Sequence, residues 1–282
     1  MKLMSFRTDA GASFGLARDD GVVDLGRRLA GRCGSLREVL AAGALDELAE
    51  LANGADIDHP FDEIDFLPVI PEPGRIVCIG LNYRDHVDEM AREMPPNPSL
   101  FAKWPDALVG HDQPIVRPLV SEHYDFEGEL ALIIGRGGRH IPEAEALDHI
   151  AGYSCFVDGS IRDFQRHSVI AGKNFPGSGA CGPWLVTADE IPDPSALQLT
   201  TTLNGHMVQQ AGAEQLIYAI PTIIAYISTF TSLGPGDVIA TGTPSGVGAG
   251  RTPPLWLRPG DELVVEISGI GRLRNRVVAE ET

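Results

Sequence analysis

The chain has 282 residues, of which 43% are hydrophobic and 22% charged, a composition typical of globular proteins that excludes an intrinsically disordered chain. The formal net charge of −17 argues against nucleic acid or an anionic membrane as the main partner, because both would repel an acidic surface. A small anionic substrate is compatible with this charge only where a metal or nearby arginine and lysine side chains reverse it locally.

Cysteine usage and the first residues predict a cytoplasmic protein. No cysteine falls in a Cys-x-x-Cys pair or at zinc-site spacing with histidine, so we expect reduced, buried thiols. The first nine residues contain no apolar segment of signal-peptide length. The most apolar stretch, residues 216–233, contains Pro221 and several hydroxyl residues, which favours a buried helix over a membrane span.

Residues 1–68 are predicted to form a small N-terminal α+β domain. Short strand patterns separated by Asp/Gly turns come first, and residues 36–51 then show helical apolar spacing interrupted at Gly43. The proline-rich residues 66–74 indicate an extended connector. We therefore place a second, catalytic domain at residues 69–282.

The first candidate catalytic pair follows the connector. Residues 75–83 form an apolar strand pattern that ends in polar residues, and residues 84–92 have helical character. His86 and Glu89 are three residues apart and would share one helix face. A histidine oriented by a glutamate is the arrangement of a general base, although a solvated helix face gives the same spacing.

A candidate metal site lies where Glu127, Gly128 and Glu129 open an apolar run that continues to residue 134. In a strand, residues i and i+2 point to the same face, so the two carboxylates would converge. A divalent cation with a preference for oxygen ligands, Mg²⁺, Mn²⁺ or Ca²⁺, would relieve their repulsion. Two solvated glutamates at a strand end are the alternative.

Further polar residues follow the next predicted strand, residues 152–158. Asp158 ends that strand and could supply a third metal ligand. Arg162, Gln165 and Lys173 lie in the polar segment after it, and the mixture of cations and an amide suits a carboxylate- or oxyanion-binding wall. Ordinary surface charge is the alternative interpretation.

The C-terminal half is predicted to be mostly strands. Asn204-Gly205 indicates a tight hairpin turn, and residues 214–232 form the one long helical pattern. Residues 236–248 form a strand that runs into a Gly/Thr loop, where Thr243 offers a hydroxyl to an anion. A closing hairpin covers residues 260–278. Many short strands, few helices and abundant glycine indicate a β-rich α+β fold.

Several motifs that carry these residues occur in a defined order along the chain. They are Gly80-Leu-Asn-Tyr-Arg-Asp-His86, Asp125-Phe-Glu-Gly-Glu-Leu130, Asp158 with Arg162-Asp-Phe-Gln165, Gly172-Lys-Asn-Phe175, Gly182-Pro-Trp-Leu-Val-Thr187 and Thr241-Gly-Thr-Pro-Ser-Gly246.

In this order the motifs resemble the fumarylacetoacetate hydrolase family, over about residues 70 to 280. The resemblance implies a core of mixed β-strands rolled into a sandwich or barrel, usually as a homodimer. It also implies a divalent metal, Mg²⁺ or Mn²⁺, with Ca²⁺ as a substitute in crystals. The N-terminal domain resembles the small extra domain of longer bacterial members.

By motif position, the resemblance also implies roles for individual residues. Glu127, Glu129 and Asp158 match the metal ligands. His86 and Glu89 match a water-activating pair on a segment that closes over the substrate. The remaining positions assigned to catalysis or substrate binding are Lys173, Gln165, Arg162, Thr243, Tyr83 and Arg84.

These assignments lead to one main hypothesis and two rivals. The main one is metal-dependent hydrolysis of a C–C bond in a small anionic 1,3-dioxo acid, such as an acylpyruvate. The same site could instead catalyse decarboxylation of an oxaloacetate-type acid or keto–enol isomerisation, or bind a small acid without turnover. Residues 166–172 depart from the polar-aromatic stretch of close family relatives, which leaves the substrate open.

Overall fold

The computed structural model describes residues 1–29 and 31–281. Within these two ranges, nineteen strands account for most of the regular structure. They are β1 (Lys2–Thr8), β2 (Gly11–Ala17), β3 (Gly21–Asp24), β4 (His59–Pro60), β5 (Asp65–Phe66), β6 (Ile76–Gly80), β7 (Ser99–Ala102), β8 (Leu108–Val109), β9 (Ile115–Arg117), β10 (Tyr124–Asp125), β11 (Gly128–Ile134), β12 (Ile150–Val157), β13 (Ser160–Ile161), β14 (Gly179–Thr187), β15 (Gln198–Leu203), β16 (His206–Gly212), β17 (Val238–Ala240), β18 (Glu262–Ile267) and β19 (Gly271–Ala279).

The helices are few, as the sequence predicts, and all of them are short. Single 3-10 turns occur between several strands, and the longest 3-10 segment is Glu143–His149. The α-helices are α1 (Leu25–Arg28), α2 (Leu36–Ala42), α3 (Leu45–Ala52), α4 (Arg84–Glu89), α5 (Arg162–Gln165), α6 (Val169–Lys173) and α7 (Ile220–Phe230). Among the described residues, no helix is both long and apolar enough to cross a bilayer.

Two large sheets stack to form the core. The main sheet has twelve strands, ten of them in the order β4-β3-β2-β1-β14-β12-β11-β17-β6-β7, with β5 beside β1 and β8 beside β14. The second sheet has the order β16-β15-β18-β19-β9 and packs on β11, β12 and β14. The β-rich α+β class predicted from the sequence is confirmed.

Strand β11 lies in the middle of this arrangement and is buried on both faces. Leu130 and Leu132 join the cluster shared with the second sheet, whereas Ala131 and Ile133 join the cluster shared with the N-terminal helices. A strand covered on both sides needs a continuous apolar run rather than alternation. This explains why the five residues after Glu129 are all apolar.

The N-terminal residues contribute strands to the main sheet. β1 pairs with β14 through Lys2↔Val186 and Leu3↔Leu185, so the sheet continues across the boundary predicted near residue 68. Helix α2 is capped at its N-terminus by Ser35, whose side chain accepts a hydrogen bond from Glu38 N. It ends at Gly43, which takes the left-handed conformation that glycine adopts readily.

Local sequence signals match the later elements, with one difference in length. Asn204 and Gly205 both have positive φ and connect β15 to β16 in the tight hairpin turn that the sequence predicts. Helix α7 begins only at Ile220, not at residue 214. Pro221 has no N–H to donate and is therefore placed in the first turn of the helix.

Gly128 provides a test of how tightly the two sheets pack. A Cβ atom added at Gly128 would lie 2.1 Å from Thr201 Oγ1 in the second sheet. We expect Gly128→Ala to destabilise the protein by about 1–3 kcal/mol through overpacking, which corresponds to a melting temperature roughly 2–10 °C lower.

Differential scanning calorimetry would measure the effect of Gly128→Ala. Gly34→Ala is the matched control, because its added Cβ would meet no atom closer than 3.7 Å. Equal melting temperatures for the two variants would contradict the close approach of the sheets at Gly128.

Candidate active site

Three acids converge at the start of β11 and the end of β12. One carboxylate oxygen each from Glu127, Glu129 and Asp158 lies within 4.8 Å of the others, and all three residues are buried. The pairing of Gly128 with Val157 sets this geometry, and Asp158 N donates to Glu127 O at 2.9 Å. The predicted acidic site is therefore brought together by the register of two neighbouring strands.

Two lysines lie against these acids. Lys173 Nζ donates to Glu127 Oε2 and, at 2.7 Å, to Asp158 Oδ2. Lys103 Nζ donates to Asp158 Oδ1 at 2.8 Å and to the carbonyl of Lys173. Burial alone would lower the pKa of Lys173, but Asp158 and Glu127 raise it above its ordinary value. Lys173 is therefore held charged.

Glu127 and Glu129 have opposite electrostatic surroundings. Burial would raise the pKa of Glu127, but Lys173, Arg162 and His86 lower it to about 2. The pKa of Glu129 is instead raised by burial and then by Asp158 and Glu127. Glu129 forms no ion pair within the described residues; its Oε2 accepts a hydrogen bond from Gly242 N at 2.9 Å. One buried carboxylate therefore lacks a counter-charge.

This donor set fits a hard divalent cation. All three candidate ligands are carboxylates, with no sulfur or imidazole among them, which suits Mg²⁺ or Mn²⁺ rather than zinc. Each carboxylate oxygen has two lone pairs, so an oxygen that accepts from Lys173 can still bind a metal. A cation beside Glu129 would also supply the missing counter-charge.

Arg162 connects the acids to the loop after β17. Its Nε donates to Asp125 Oδ2 at 2.7 Å, and its Nη1 donates to Gln165 Oε1 at 2.9 Å. Its Nη2 lies 2.7 Å from Glu127 Oε1 and forms an ion pair with it. The geometry of this contact does not make a hydrogen bond. Asp125 also accepts from Gly248 N, so it fixes both the arginine and the loop.

The His-Glu pair predicted from the sequence is in contact. His86 Nδ1 lies 3.1 Å from Glu89 Oε2 on helix α4, and His86 is buried. Glu89 Oε1 accepts a hydrogen bond from Gly246 N at 2.9 Å. Because Glu89 is held on one side by the loop and contacts His86 on the other, the imidazole is oriented with Nε2 left for chemistry.

Three other predicted substrate residues differ in their surroundings. Thr243 donates to Gly128 O and accepts from Gln209 Nε2, so its hydroxyl braces the strand between the two glutamates. Tyr83 is only 3% exposed, whereas Arg84 is exposed at the start of α4. The substrate roles proposed for Thr243, Tyr83 and Arg84 stay predictions.

Three residues of the site were not predicted. They are Lys103, Asp125 and Gln209. Lys103 is 55 residues from its partner Asp158, Asp125 is 37 residues from Arg162, and Gln209 is 81 residues from Gly128. Lys103 did leave a signal, because Lys2, Lys103 and Lys173 are the only lysines in the chain. Two of three lysines lie buried against the acids, and lysine is rarely buried without a partner.

Comparison with known proteins identifies the family. The family model described as fumarylacetoacetate (FAA) hydrolase C-terminal matches residues 75–278. The chain belongs to the fumarylacetoacetate hydrolase family. It is accordingly an enzyme of the fumarylacetoacetate hydrolase superfamily. Its buried acid cluster is a candidate metal site.

Curated members of the fumarylacetoacetate hydrolase family include proteins with different named activities. Oxaloacetate tautomerase FAHD2A, mitochondrial, of Homo sapiens is 39% identical over 223 residues, which cover 78% of this chain and 71% of that protein. The 4-hydroxyphenylacetate degradation bifunctional isomerase/decarboxylase of Escherichia coli is 41% identical over 219 residues, covering 76% of this chain and 49% of that protein.

Solved structures of family members share the fold. Fumarylacetoacetate hydrolase from psychrophilic Exiguobacterium antarcticum aligns with a TM-score of 0.85 at 35% identity, covering 99% of this chain and all of that one. Maleylpyruvate hydrolase from Sphingobium sp. SYK-6, in complex with manganese (II) ion and pyruvate, aligns with a TM-score of 0.82 at 28% identity over the whole of both chains.

Glu127→Gln tests the candidate metal site. The substitution removes one anionic ligand and leaves Arg162 and Lys173 without their shared carboxylate. We expect Mn²⁺ affinity, measured by isothermal titration calorimetry, to fall at least about tenfold. Unchanged affinity in a folded Glu127→Gln protein would contradict Glu127 as a ligand.

Lys103→Met tests the role of the unpredicted lysine. The change leaves Asp158 Oδ1 buried without its cation, so we expect the free energy of unfolding without metal to fall by roughly 3–5 kcal/mol. Added Mn²⁺ should raise the melting temperature more than in the wild type, because the metal replaces the lost charge. Lys2→Met is the control, and equal Mn²⁺ shifts in all three proteins would contradict this role.

Proposed function

We propose that the protein is a metal-dependent enzyme that cleaves a C–C bond in a small 1,3-dioxo acid, such as an acylpyruvate. The observation that carries the proposal is a buried imidazole, His86, held by Glu89 beside a triad of acids. The pair can move a proton, and the triad suits Mg²⁺ or Mn²⁺. The name of the manganese and pyruvate complex of maleylpyruvate hydrolase supports this combination of metal and acid.

The charge balance supports an anionic substrate. Four buried acids of the site meet three cations, so one carboxylate is in excess when all are ionised. A divalent cation changes this balance to one net positive charge. The site would then attract the carboxylate of a small acid even though the whole chain carries −17.

In the proposed reaction each residue has a separate task. When bound, the divalent cation supplies Lewis-acid polarisation of the 2-oxo acid end of the substrate. His86 Nε2 takes a proton from water, and the water oxygen attacks the distal carbonyl carbon. Breakage of the C–C bond gives a carboxylic acid and the enol of a 2-oxo acid, and His86 returns the proton.

Lys173 and Gln165 are placed to stabilise the oxyanion of that attack. The Lys173 ammonium has three protons, of which two reach Glu127 and Asp158, so one is left for a substrate oxygen. Gln165 accepts from Arg162 through its carbonyl oxygen, which leaves its amide NH₂ group as a donor. Both groups act on the charge that develops in the transition state.

Keto–enol tautomerisation or decarboxylation of an oxaloacetate-type acid is the second candidate. The names of two similar relatives, an oxaloacetate tautomerase and a bifunctional isomerase/decarboxylase, favour it. Tautomerisation needs only a proton moved between carbon and oxygen, which His86 could do alone. The two candidates share the metal site and differ in whether water attacks carbon.

One panel assay separates these activities. The purified protein would receive fumarylpyruvate, maleylpyruvate, acetylpyruvate, fumarylacetoacetate, sugar-derived 2,4-diketo acids and oxaloacetate, with Mg²⁺ or Mn²⁺ and again with EDTA. In ¹⁸O-labelled water, hydrolysis places one label in the new carboxylic acid, whereas CO₂ release or a changed keto–enol ratio without label indicates the second candidate. Binding of these acids without turnover would overturn both.

His86→Ala tests proton transfer directly. We expect kcat to fall by about 10²–10⁴-fold, the range for loss of a general base, with Mn²⁺ affinity unchanged. Glu89→Gln should cause a smaller loss, because it disturbs only the orientation of the imidazole. Full turnover in a metal-loaded His86→Ala protein would contradict its role in either candidate reaction.

We also propose that the enzyme is a cytoplasmic homodimer. All four cysteines are free and buried, as expected for a reduced compartment. Three large apolar side chains, Trp104, Val169 and Ile170, are 39–51% exposed near the site, and Asn174 hydrogen-bonds both Trp104 N and Ile170 O. Such a patch fits a subunit contact, which light scattering would measure as twice the chain mass.

A further inference from the structure

Asp125 is the fourth buried acid of the site, and its surroundings differ from those of the triad. Its Oδ1 accepts from Phe126 N at 2.9 Å and from Gly248 N at 2.7 Å. Its Oδ2 accepts from Arg162 Nε at 2.7 Å and from Ala249 N at 3.0 Å. A carboxylate offers about four acceptor positions, and protein groups fill all four here. Asp125 therefore acts on its protein neighbours rather than on a metal or a substrate.

Two of these four bonds come from residues 246–251, which we call the glycine loop. Its middle part, Gly248–Gly250, forms a single 3-10 turn after β17. The turn presents two successive backbone N–H groups to Asp125. A Cβ atom added at Gly248 would lie 2.7 Å from Asp125 Oδ1, so this close approach requires glycine. The buried carboxylate anchors the loop from inside the protein.

Arg251 holds the glycine loop from the opposite side. Its Nη2 donates to Val208 O in β16 at 2.7 Å and to Gly246 O at 3.0 Å. Its Nε also donates to Gly246 O, at 3.1 Å. The guanidinium thus ties the first residue of the loop to the second sheet, and the loop is fixed at both ends.

The glycine loop in turn contacts Glu89 at two points. Gly246 N donates to Glu89 Oε1 at 2.9 Å. A Cβ atom added at Gly250 would lie 2.4 Å from Glu89 Cγ, so the glutamate side chain packs directly on the loop backbone. The other oxygen, Oε2, lies 3.1 Å from His86 Nδ1. A continuous series of direct contacts therefore leads from Asp125 to the imidazole.

We propose that Asp125 and Arg251 are positioning residues, which orient His86 through the glycine loop and Glu89. The Glu89 carboxylate keeps the imidazole proton on Nδ1 and leaves Nε2 free to accept one. Displacement of the loop withdraws that carboxylate and lets the imidazole adopt its other tautomer. This inference rests on the proposed function, because the orientation affects catalysis only when His86 transfers a proton.

The tautomer of His86 tests this positioning without any substrate. Long-range ¹H–¹⁵N NMR on Mg²⁺-loaded protein with ¹⁵N-labelled histidine distinguishes a protonated ring nitrogen from a bare one, and the spectrum of His86→Ala identifies the His86 signals. At pH 8, where an ordinary imidazole is neutral, we expect Nδ1–H in the wild type. Asp125→Asn, Arg251→Met and Glu89→Gln should each shift the population toward Nε2–H.

Kinetics give a second measurement on the substrate of the panel that is turned over fastest. We expect kcat of Arg251→Met to fall roughly tenfold, with KM changed by less than about threefold, because the arginine touches neither metal ligands nor substrate. Combined with Glu89→Gln, either Asp125→Asn or Arg251→Met should cost less than about twofold more, because both act through the same carboxylate.

Two matched controls separate positioning from general disturbance of the protein. Asp163→Asn changes an acid that accepts from Ser121 Oγ and Phe164 N instead of from the glycine loop. Arg258→Met removes an exposed arginine that follows the loop. Both controls should retain the wild-type tautomer and the wild-type kcat.

The outcomes separate this inference from the proposed function. A wild-type tautomer in Asp125→Asn and Arg251→Met, together with a changed one in Glu89→Gln, would overturn the inference alone. The same tautomer in the wild type and Glu89→Gln would remove the His-Glu pair from the proposed function and the inference with it. Absence of turnover would overturn the proposed function, and the tautomers would still decide the positioning. Should Asp125→Asn fail to fold, Arg251→Met decides.

Discussion

The site depends on buried carboxylates that must be held close together despite their repulsion. Glu127, Glu129 and Asp158 are at most 5% exposed, so water does little to screen them. Lys103, Lys173 and Arg162 supply the opposing charge, and each is bound to more than one group. Removing any one of them would leave a buried charge without compensation, which is the most expensive defect such a cluster can have.

The residues around this cluster hold its backbone in place through hydrogen bonds and add no further charge. Gln209 accepts from Gly128 N and donates to Thr243, which in turn donates to Gly128 O. Gly128, between the two glutamates, is thus tied through its N–H to β16 and through its C=O to the loop after β17. That same loop supplies Gly246 N to Glu89, so the loop contacts both the strand that carries the acids and the His86–Glu89 pair.

Local patterns predicted the parts of the structure that depend on neighbouring residues. The two-residue spacing of Glu127 and Glu129 predicted that both side chains lie on one face of a strand. The three-residue spacing of His86 and Glu89 predicted that they are in contact on a helix. The Asn204-Gly205 sequence likewise predicted the hairpin turn between β15 and β16. The position of Asp158 at the end of the next apolar strand suggested a third ligand, and the family resemblance supported it, because no local rule states which strand lies next to β11.

The residues that were missed depend on distant pairings. Lys103 reaches Asp158 across 55 residues and Gln209 reaches Gly128 across 81, and no periodicity in the sequence reports such contacts. The start of α7 was misplaced for a local reason, since the apolar pattern before Ile220 outweighed the position of Pro221. The sequence did not separate hydrolysis from tautomerisation, because both proposed reactions assign proton transfer to the same imidazole.

The pairing of β1 with β14 has a consequence for the integrity of the whole chain. Without the N-terminal residues, Leu185 and Val186 would present unpaired N–H and C=O groups along the sheet. Leu3, Phe14 and Val39 would also leave the apolar cluster that they share with Ala131 and Ile133 of β11. Residues 69–282 alone would thus expose a strand edge that invites pairing between molecules. The N-terminal residues therefore cover a strand edge and part of the apolar cluster on which the strand that carries the acids is packed.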